Sequence, residues 1–284
     1  MKRWVWPGLV LLLGFGNTQA WAVDITSQCE KFDGQKQYNK ALPVCKQAAK
    51  QGEISAQFIL GVMYYNGRGV KKNYAEAAKW WHKAAVQGVA YAQLNLGLIY
   101  YNGLGVKKDY AKAAKWWRKA AEQGVAKTQF NLGVMYYNGL GVKKNYAEAA
   151  KWWRKAAEQG VAKTQFNLGV MYYTGRGVKK DYAEAAKWYR KAAEQGVAKA
   201  RFKLGVMYTS GDGVTRSGAA AANWYYKAGL SFLHEGKRDM ALNCVERIKA
   251  LPRMGLIVPD ASLAAKLQAQ IDGSRAQSTM SQVH

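Results

Sequence analysis

Hydrophobic residues recur along the chain in two kinds of segment, separated by glycine-rich breaks. The first kind crowds its apolar residues on one broad face, as in FNLGVMYY from Phe130, and ends at Gly139. The second kind, which begins at Tyr146 in the same stretch, carries alanines and tryptophans at helical spacing along one face. Because glycine readily adopts the backbone angles found at a helix end, the pattern predicts two helices joined by a glycine-containing loop.

The two-segment pattern returns with a fixed period of 36 residues. The motif GVMYYNG and its variants start at Gly61, Gly97, Gly133, Gly169 and Gly205. A period of this size is typical of helical-pair solenoids, in which stacked units bury a shared core. We therefore predict an all-α fold with five full units, at residues 56–91, 92–127, 128–163, 164–199 and 200–235.

Two local signals refine the predicted helices. Asn145 precedes the second helix and Glu148 follows three residues later, which predicts a capping box, in which each side chain bonds the backbone N–H of the other residue. Gly133 lies inside the first helix, where glycine costs about 1 kcal/mol in helix propensity. Since glycine recurs at this place in every unit, we expect a close contact between helices there.

The N-terminal residues have the features of an export signal. Lys2 and Arg3 precede an apolar stretch, and an A-x-A cleavage pattern ends at Ala22. We interpret residues 1–22 as a signal peptide cleaved after Ala22. A membrane anchor is the alternative, although the apolar stretch is short for a bilayer span.

The two ends of the array depart from the repeat. Residues 23–55 are expected to form N-terminal capping helices and residues 236–272 C-terminal ones, because a stack of repeats must shield its open ends. The remaining segment, 273–284, is polar and is expected to be disordered.

The chain has three cysteines. An oxidising compartment permits a disulfide between Cys29 and Cys45, and closing a loop of that size stabilises a fold by about 3 kcal/mol. Cys244 is left over, and it is either a buried free thiol or part of a mixed disulfide with a partner.

The composition is strongly basic, with 43 lysines and arginines against 18 acidic residues and a net charge of +25. Because an exported protein rarely meets nucleic acid, we expect acidic proteins or an anionic envelope surface as partners, and no nucleic acid. Two adjacent lysines recur in the loop between the paired helices, and equal positions line up along one edge of a stack. This basic stripe is either a binding edge for an anionic partner or a plain solvated edge. It consists of Lys71, Lys72, Lys107, Lys108, Lys143, Lys144, Lys179 and Lys180.

Two sets of residues on the first helices are candidates for partner contact, since the first helix of each pair usually lines the concave side of such a stack. Asparagine offers both a donor and an acceptor, and tyrosine is a common interface anchor. The alternative for each asparagine is a hydrogen bond to neighbouring backbone. The candidates are Asn95, Asn131, Asn167, Tyr65, Tyr101, Tyr137 and Tyr173. Residues 128–163 and 164–199 are nearly identical, which indicates either a recent duplication or a repetitive partner.

The tryptophan pairs, such as Trp152-Trp153, allow two interpretations. They could form a ladder that stacks on sugars. They also lie between alanines three or four residues away on either side, which favours packing between units.

No catalytic arrangement stands out. The histidines His82, His234 and His284 are scattered, and no acidic cluster repeats along the chain. No serine stands at S-x-x-K spacing from a lysine, so the usual β-lactamase nucleophile arrangement is missing. We therefore predict that the protein is not an enzyme and has no catalytic residues, cofactor or metal site.

The repeated motif resembles a known family. The pattern A-x-x-x-L-G-x-x-Y-x-x-G-x-G-V, as from Ala92 to Val106, is followed by A-x-x-W-[WY]-x-K-A-A-x-x-G, and together they resemble the Sel1-like repeat over residues 56–235. At the C-terminal end, one copy of a tetratricopeptide-like spacing is formed by Tyr225, Gly229, Phe232, Ala241 and Val245.

The resemblance implies a right-handed α-solenoid of helix-turn-helix repeats that acts as an adaptor between proteins. Bacterial members are often periplasmic or secreted, so we expect an exported scaffold of the cell envelope. A binding module for envelope glycans or anionic polymers is the alternative. Cysteine-rich members linked to β-lactam binding or hydrolysis carry a disulfide in every repeat. The five repeats here contain no cysteine. Only the association with the family therefore suggests β-lactam hydrolysis.

Overall fold

The computed structural model describes the backbone of residues 18–280 and the side chains of residues 25–274. Most of the predicted signal peptide, and His284, lie outside the described residues. Within residues 18–280 the regular secondary structure is helical and contains no strand, which confirms the predicted all-α class. The chain divides into two compact units, of which the first ends at Ala120 and the second begins at Ala121.

The helices follow the 36-residue period. They are α1 (Thr18–Gly34), α2 (Tyr38–Lys50), α3 (Ile54–Asn66), α4 (Tyr74–Val86), α5 (Ala90–Asn102), α6 (Tyr110–Glu122), α7 (Ala126–Asn138), α8 (Tyr146–Glu158), α9 (Ala162–Thr174), α10 (Tyr182–Glu194), α11 (Ala198–Ser210), α12 (Gly218–His234), α13 (Arg238–Ala250) and α14 (Leu263–Met280). The five predicted pairs are thus α3/α4, α5/α6, α7/α8, α9/α10 and α11/α12. None of the helices in the described range has both the length and the apolar composition needed to cross a bilayer.

Each pair is closed by an aromatic ring that lies on the mid-helix glycine. In the α7/α8 pair the indole of Trp153 covers Gly133, and its Nε1 donates to the carbonyl of Phe130 at 3.1 Å. A Cβ at Gly133 would sit well inside the roughly 3.5–4.0 Å at which carbon atoms pack. The same contact recurs at Gly61 with Trp81, Gly97 with Trp117, Gly169 with Tyr189 and Gly205 with Tyr225. The expected close contact is therefore present, and it is made by a side chain of the paired helix.

The loops between paired helices end as the sequence predicts, but the capping box is only half formed. Asn145 Oδ1 accepts from the backbone N–H of Glu148 at 3.0 Å. The backbone N–H of Asn145 is already bonded to the carbonyl of Tyr136 at 2.9 Å, so it is not available to the Glu148 carboxylate. That carboxylate lies 3.7 Å from Lys151 Nζ instead. The prediction of a reciprocal box was wrong because the loop folds back and ties the cap to the first helix.

Buried glutamines join one repeat to the next. Gln165 of α9 donates from Nε2 to the carbonyl of Ala157 in α8 at 3.1 Å, and its Oε1 accepts from Gln195 of α10 at 2.8 Å. The same arrangement recurs at Gln129 with Ala121 and Gln159, and at Gln57 with Ala49 and Gln87. Because these amides are buried and paired, they favour one alignment of consecutive repeats.

The N-terminal end of the array is held by the predicted disulfide. Cys29 of α1 and Cys45 of α2 are bonded, which confirms that pairing. Both are buried and pack in one cluster with Leu60 and Met63 of α3. Cleavage after Ala22 would shorten α1 and leave this bridge in place.

At the C-terminal end, α12, α13 and α14 enclose a common apolar cluster that includes Phe232, Val245 and Leu267. The side chain of Arg238 holds α14 by donating to the carbonyl of Ile271 at 2.7 Å. Helix α14 continues to Met280, so the backbone of residues 273–280 is helical. Residues 281–284 of the segment that was expected to be disordered lie outside the described residues. One glycine costs about 1 kcal/mol and does not by itself end a helix.

The remaining thiol is enclosed. Cys244 of α13 is fully buried within the same C-terminal cluster, which supports the buried-thiol alternative over a mixed disulfide. Burial raises the pKa of the Cys244 thiol to about 12.

Gly133→Ala is expected to lower the free energy of unfolding by about 1–3 kcal/mol, because the added methyl group meets an indole that is fixed by its own hydrogen bond. Gly273→Ala is the matched control, since a Cβ there meets nothing within 4 Å. Its effect should be neutral or slightly stabilising. Urea denaturation measures both, and an unchanged midpoint for Gly133→Ala would contradict the contact.

Cys244 is expected to be inert in the folded protein. A thiol reagent such as DTNB should label no cysteine at about pH 8, and one after unfolding in guanidinium. The raised pKa also has a stability consequence, because the thiol ionises in the unfolded chain before it does in the folded one. Its contribution to stability is complete below about pH 8.5 and is lost as the pH rises toward about 12. Rapid labelling of the native protein would contradict the burial.

Candidate partner-binding surface

The four candidate tyrosines are held inside aromatic groups. The ring of Tyr137 lies 5.1 Å from that of Tyr146 and 5.3 Å from that of Trp153, measured between centroids. Tyr65 and Tyr101 have equivalent neighbours, and Tyr173 lies 5.0 Å from Tyr182. The rings are half-buried. They therefore support the helix pair as well as contributing to the surface.

In the second compact unit, which begins at Ala121, the hydroxyls of two of these tyrosines bridge neighbouring repeats. Tyr137 Oη accepts from Arg176 Nη1 at 2.6 Å, and Tyr173 Oη donates to Asp212 Oδ2 at 3.2 Å. Burial, and next the Asp212 carboxylate, raise the pKa of Tyr173, which keeps this hydroxyl protonated as a donor. Both bonds link a first helix to the loop of the following repeat.

The three candidate asparagines behave differently from their neighbours. Asn95, Asn131 and Asn167 are half-buried, and across the described residues no hydrogen bond joins their amides to the backbone. By contrast, Nδ2 of Asn66, Asn102 and Asn138 donates to the carbonyl four residues earlier at 3.0 Å. The structure thus gives no support to the alternative in which the candidate asparagines bond neighbouring backbone.

A surface cavity of about 350 Å³ opens between α7 and α9. Its lining includes the buried indole of Trp153 and one candidate from each set, Tyr137 and Asn167. The other lining residues are Phe130, Val134, Asn138, Lys163, Phe166, Val170 and Met171. The cavity therefore combines apolar walls with two amides and one ammonium group.

Sequence reasoning missed most of this lining. Phe130 and Val134 were assigned to the apolar core face of the first helix, yet both are half-exposed, as are Phe166 and Val170. An apolar face as broad as that of the first helix is not buried over its whole width. That excess of apolar positions was the signal that could have indicated a surface groove.

The eight lysines of the basic stripe are exposed, and four of them lie in each of the two compact units. The second lysine of each pair lies over the tyrosine that begins the following helix, as Lys180 does over Tyr182 at 4.6 Å from the ring centroid. A hydrogen bond to that phenol raises the pKa of Lys180, and Tyr110 has the same effect on Lys108. Lys108 and Lys180 therefore remain charged at neutral pH.

The tryptophan pairs are buried, which confirms the packing interpretation. Trp153 and its equivalents face the paired helix. Trp188 packs against Ala157 of the preceding repeat and Leu168 of its own repeat. Lysines cover the outer edge, as Lys155 Nζ does 4.9 Å from the centroid of Trp152. Their faces are not open for stacking on sugars.

The histidines of the described region do not converge. His82 is exposed and packs edge-on against Trp116 at 5.5 Å, and His234 is exposed on α12. Among the described residues, no group of three or more histidine, cysteine or acidic side chains is placed to hold a metal ion.

The repeats identify the family. The sequence matches the Sel1 repeat five times, at residues 54–89, 90–125, 126–161, 162–197 and 198–230. The chain therefore belongs to the Sel1 repeat family, as its motifs predict. Proteins of this family are typically non-enzymatic scaffolds and generally mediate protein–protein interactions.

Solved structures of Sel1 repeat proteins are similar in fold. One from Oxalobacter formigenes is 31% identical, covers 88% of this chain and 99% of its own, and has a TM-score of 0.72. The protein c5321, a protective antigen of uropathogenic Escherichia coli strains, is 30% identical over 89% of this chain with a TM-score of 0.68. The match spans 62% of the length of c5321. No curated protein matches the chain by sequence.

The two kinds of candidate should differ in their effect on stability. Tyr137→Ala removes a ring from an aromatic group and a bond to Arg176, and should lower the free energy of unfolding by about 1–3 kcal/mol. Asn167→Ala removes no described hydrogen bond and should change it by less than about 0.5 kcal/mol. Thermal or urea unfolding measures both. Comparable losses in the two variants would mean that Asn167 has a structural role.

Proposed function

We propose that this protein is an exported adaptor of the bacterial cell envelope that binds protein partners through the first helices of its repeats. The observation that carries the proposal is the open cavity between α7 and α9, which brings candidate residues Tyr137 and Asn167 together on one apolar surface. An apolar cavity with a few polar groups is the usual form of a recognition site. The general role of the family in protein interaction supports the same function.

Export is supported by two independent features. The N-terminal sequence has the pattern of a cleaved signal peptide. The Cys29–Cys45 disulfide is typical of a protein that folds in an oxidising compartment. We therefore propose that the mature chain lies in the periplasm or outside the cell. Cell fractionation followed by N-terminal sequencing should give a chain that begins at Val23.

Binding of an envelope glycan or another anionic polymer is the second candidate function. It is favoured by the exposure of all eight stripe lysines and by the net charge of +25. A partner held by such charges should dissociate as the salt concentration rises, because exposed charges are screened over about 8–10 Å in physiological buffers.

Affinity capture from envelope extract separates the two functions. The immobilised full chain is compared with Asn131→Ala/Asn167→Ala and with Lys143→Ala/Lys179→Ala. For the adaptor, a stoichiometric protein partner should be retained by the wild type and the lysine variant and lost from the asparagine variant. Mass spectrometry identifies the retained proteins.

Recovery of glycan alone, lost from the lysine variant and at high salt, would favour the second function. Identical protein capture by the wild type and the asparagine variant would contradict binding through the first helices. Thermal melts of all three proteins ensure that a lost partner does not reflect unfolding.

A further inference from the structure

The cavity between α7 and α9 has a composition that narrows the chemistry of its ligand, and the following inference rests on the proposed adaptor function. We propose that this cavity binds an extended peptide segment that inserts one large apolar side chain, aromatic or long aliphatic, and carries an acidic residue beside it.

The size and the walls of the cavity fit one large apolar side chain. Phe130 and Val134 of α7 and Phe166 and Val170 of α9 line the opening together with the buried indole of Trp153. A volume of about 350 Å³ is at the lower end of the range for ligand pockets, which is roughly 300–1,000 Å³. Aromatic side chains bury about 150–250 Å² each and are the commonest anchors at protein interfaces.

The polar groups on the rim fit a peptide backbone. Asn167 has no hydrogen bond to the backbone in the described part of the chain, so its amide offers a donor and an acceptor together. Asn138 uses its Nδ2 to bond the carbonyl of Val134 at 3.0 Å, which leaves its Oδ1 as an acceptor. A peptide unit presents one N–H and one carbonyl, and an amide side chain can bond both. Two such amides beside one anchor pocket suit an extended chain.

The charge at the cavity selects for an acidic neighbour. Lys163 is exposed, and its Nζ lies 5.2 Å from the centroid of the Phe130 ring, at the edge of the opening. No carboxylate is among the lining residues. An acidic group next to the anchor would therefore meet the Lys163 ammonium, which has no carboxylate beside it among the lining residues. Such a charge pair steers and orients the ligand more than it adds affinity.

The following repeat shows how the same surface is changed when an amide is replaced. Lys203 of α11 stands where Asn167 stands in α9, and its Nζ lies 5.6 Å from the centroid of Tyr173. Lys203 is thus laid over the aromatic group of the preceding repeat. Asn167→Lys copies a residue that the fold already accepts at this position, and it should cover the aromatic group of Tyr137 and obstruct the cavity.

The test is selection of a random peptide display library against the full chain, followed by fluorescence anisotropy with the enriched peptides. We expect enriched sequences to share an aromatic or long aliphatic residue with an aspartate or glutamate close by. Replacing either of these residues in the peptide by alanine should weaken binding by about tenfold or more.

The protein variants locate the site. Asn167→Lys and Lys163→Glu should each weaken binding of the enriched peptide by about tenfold or more. Lys199→Glu is the matched control, because Lys199 occupies the place of Lys163 one repeat later, is exposed and does not line the cavity. It changes the net charge by the same amount and should alter binding by less than about twofold.

Three results would overturn the proposal: no enrichment, an enriched motif without the apolar or the acidic residue, or equal binding by Asn167→Lys. These results are distinct from failure of the adaptor function. Loss of protein capture in the asparagine variant, with no acidic apolar motif in the selection, would keep the adaptor and reject this peptide chemistry. An enriched motif whose binding depends on the cavity, without any captured envelope protein, would keep the peptide chemistry and reject the adaptor function.

Discussion

The structure depends on an aromatic ring that lies directly on a helix at a position without a side chain. Because Gly133 has no Cβ, the indole of Trp153 reaches the backbone of α7 and bonds the carbonyl of Phe130. The fixed indole then stacks on the ring of Tyr137 and is part of the lining of the α7/α9 cavity. One small residue therefore sets both the spacing of the helix pair and the geometry of the candidate site. A residue that looks unfavourable by helix propensity is required by packing.

Consecutive repeats are joined by polar contacts within a largely apolar interior. The buried amide of Gln165 is bonded both to the preceding repeat, at Ala157, and to its own second helix, at Gln195. Directional bonds of this kind have one good alignment, whereas alanines packed against alanines would tolerate small shifts. Unlike these paired amides, the hydroxyl of Tyr189 is buried without a hydrogen-bond partner among the described residues. Tyr189 stands where the earlier repeats have the tryptophan that covers the mid-helix glycine. The ring contact is preserved there while its hydrogen bond is lost.

The helices could be predicted from sequence because their signals are local and repeated five times. Glycine ends each first helix where the pattern indicated. Asparagine or aspartate precedes the second helix in the first four repeats, and Ser217 takes that place in the fifth. The reciprocal capping box failed because the N–H of Asn145 bonds Tyr136, a contact set by the fold of the loop. The glutamine contacts were missed since a buried glutamine looks like a surface residue in a polarity pattern. The cavity was missed because Phe130 and Phe166 resemble core residues until the packing shows that the core is already filled.

A scaffold made of nearly identical units acquires specificity where a unit departs from the others. The glycines under the closing rings recur in all five repeats, while some of the residues that line the first-helix surface change. In the second repeat, Tyr91 and Leu94 occupy the positions that Lys163 and Phe166 occupy at the cavity. In the fifth repeat, Lys203 occupies the position of Asn167. The near-identity of residues 128–163 and 164–199 brings two matching first helices, α7 and α9, to either side of one opening. A duplicated unit can thus create a single opening with two matching walls. A repetitive partner is not required by this geometry.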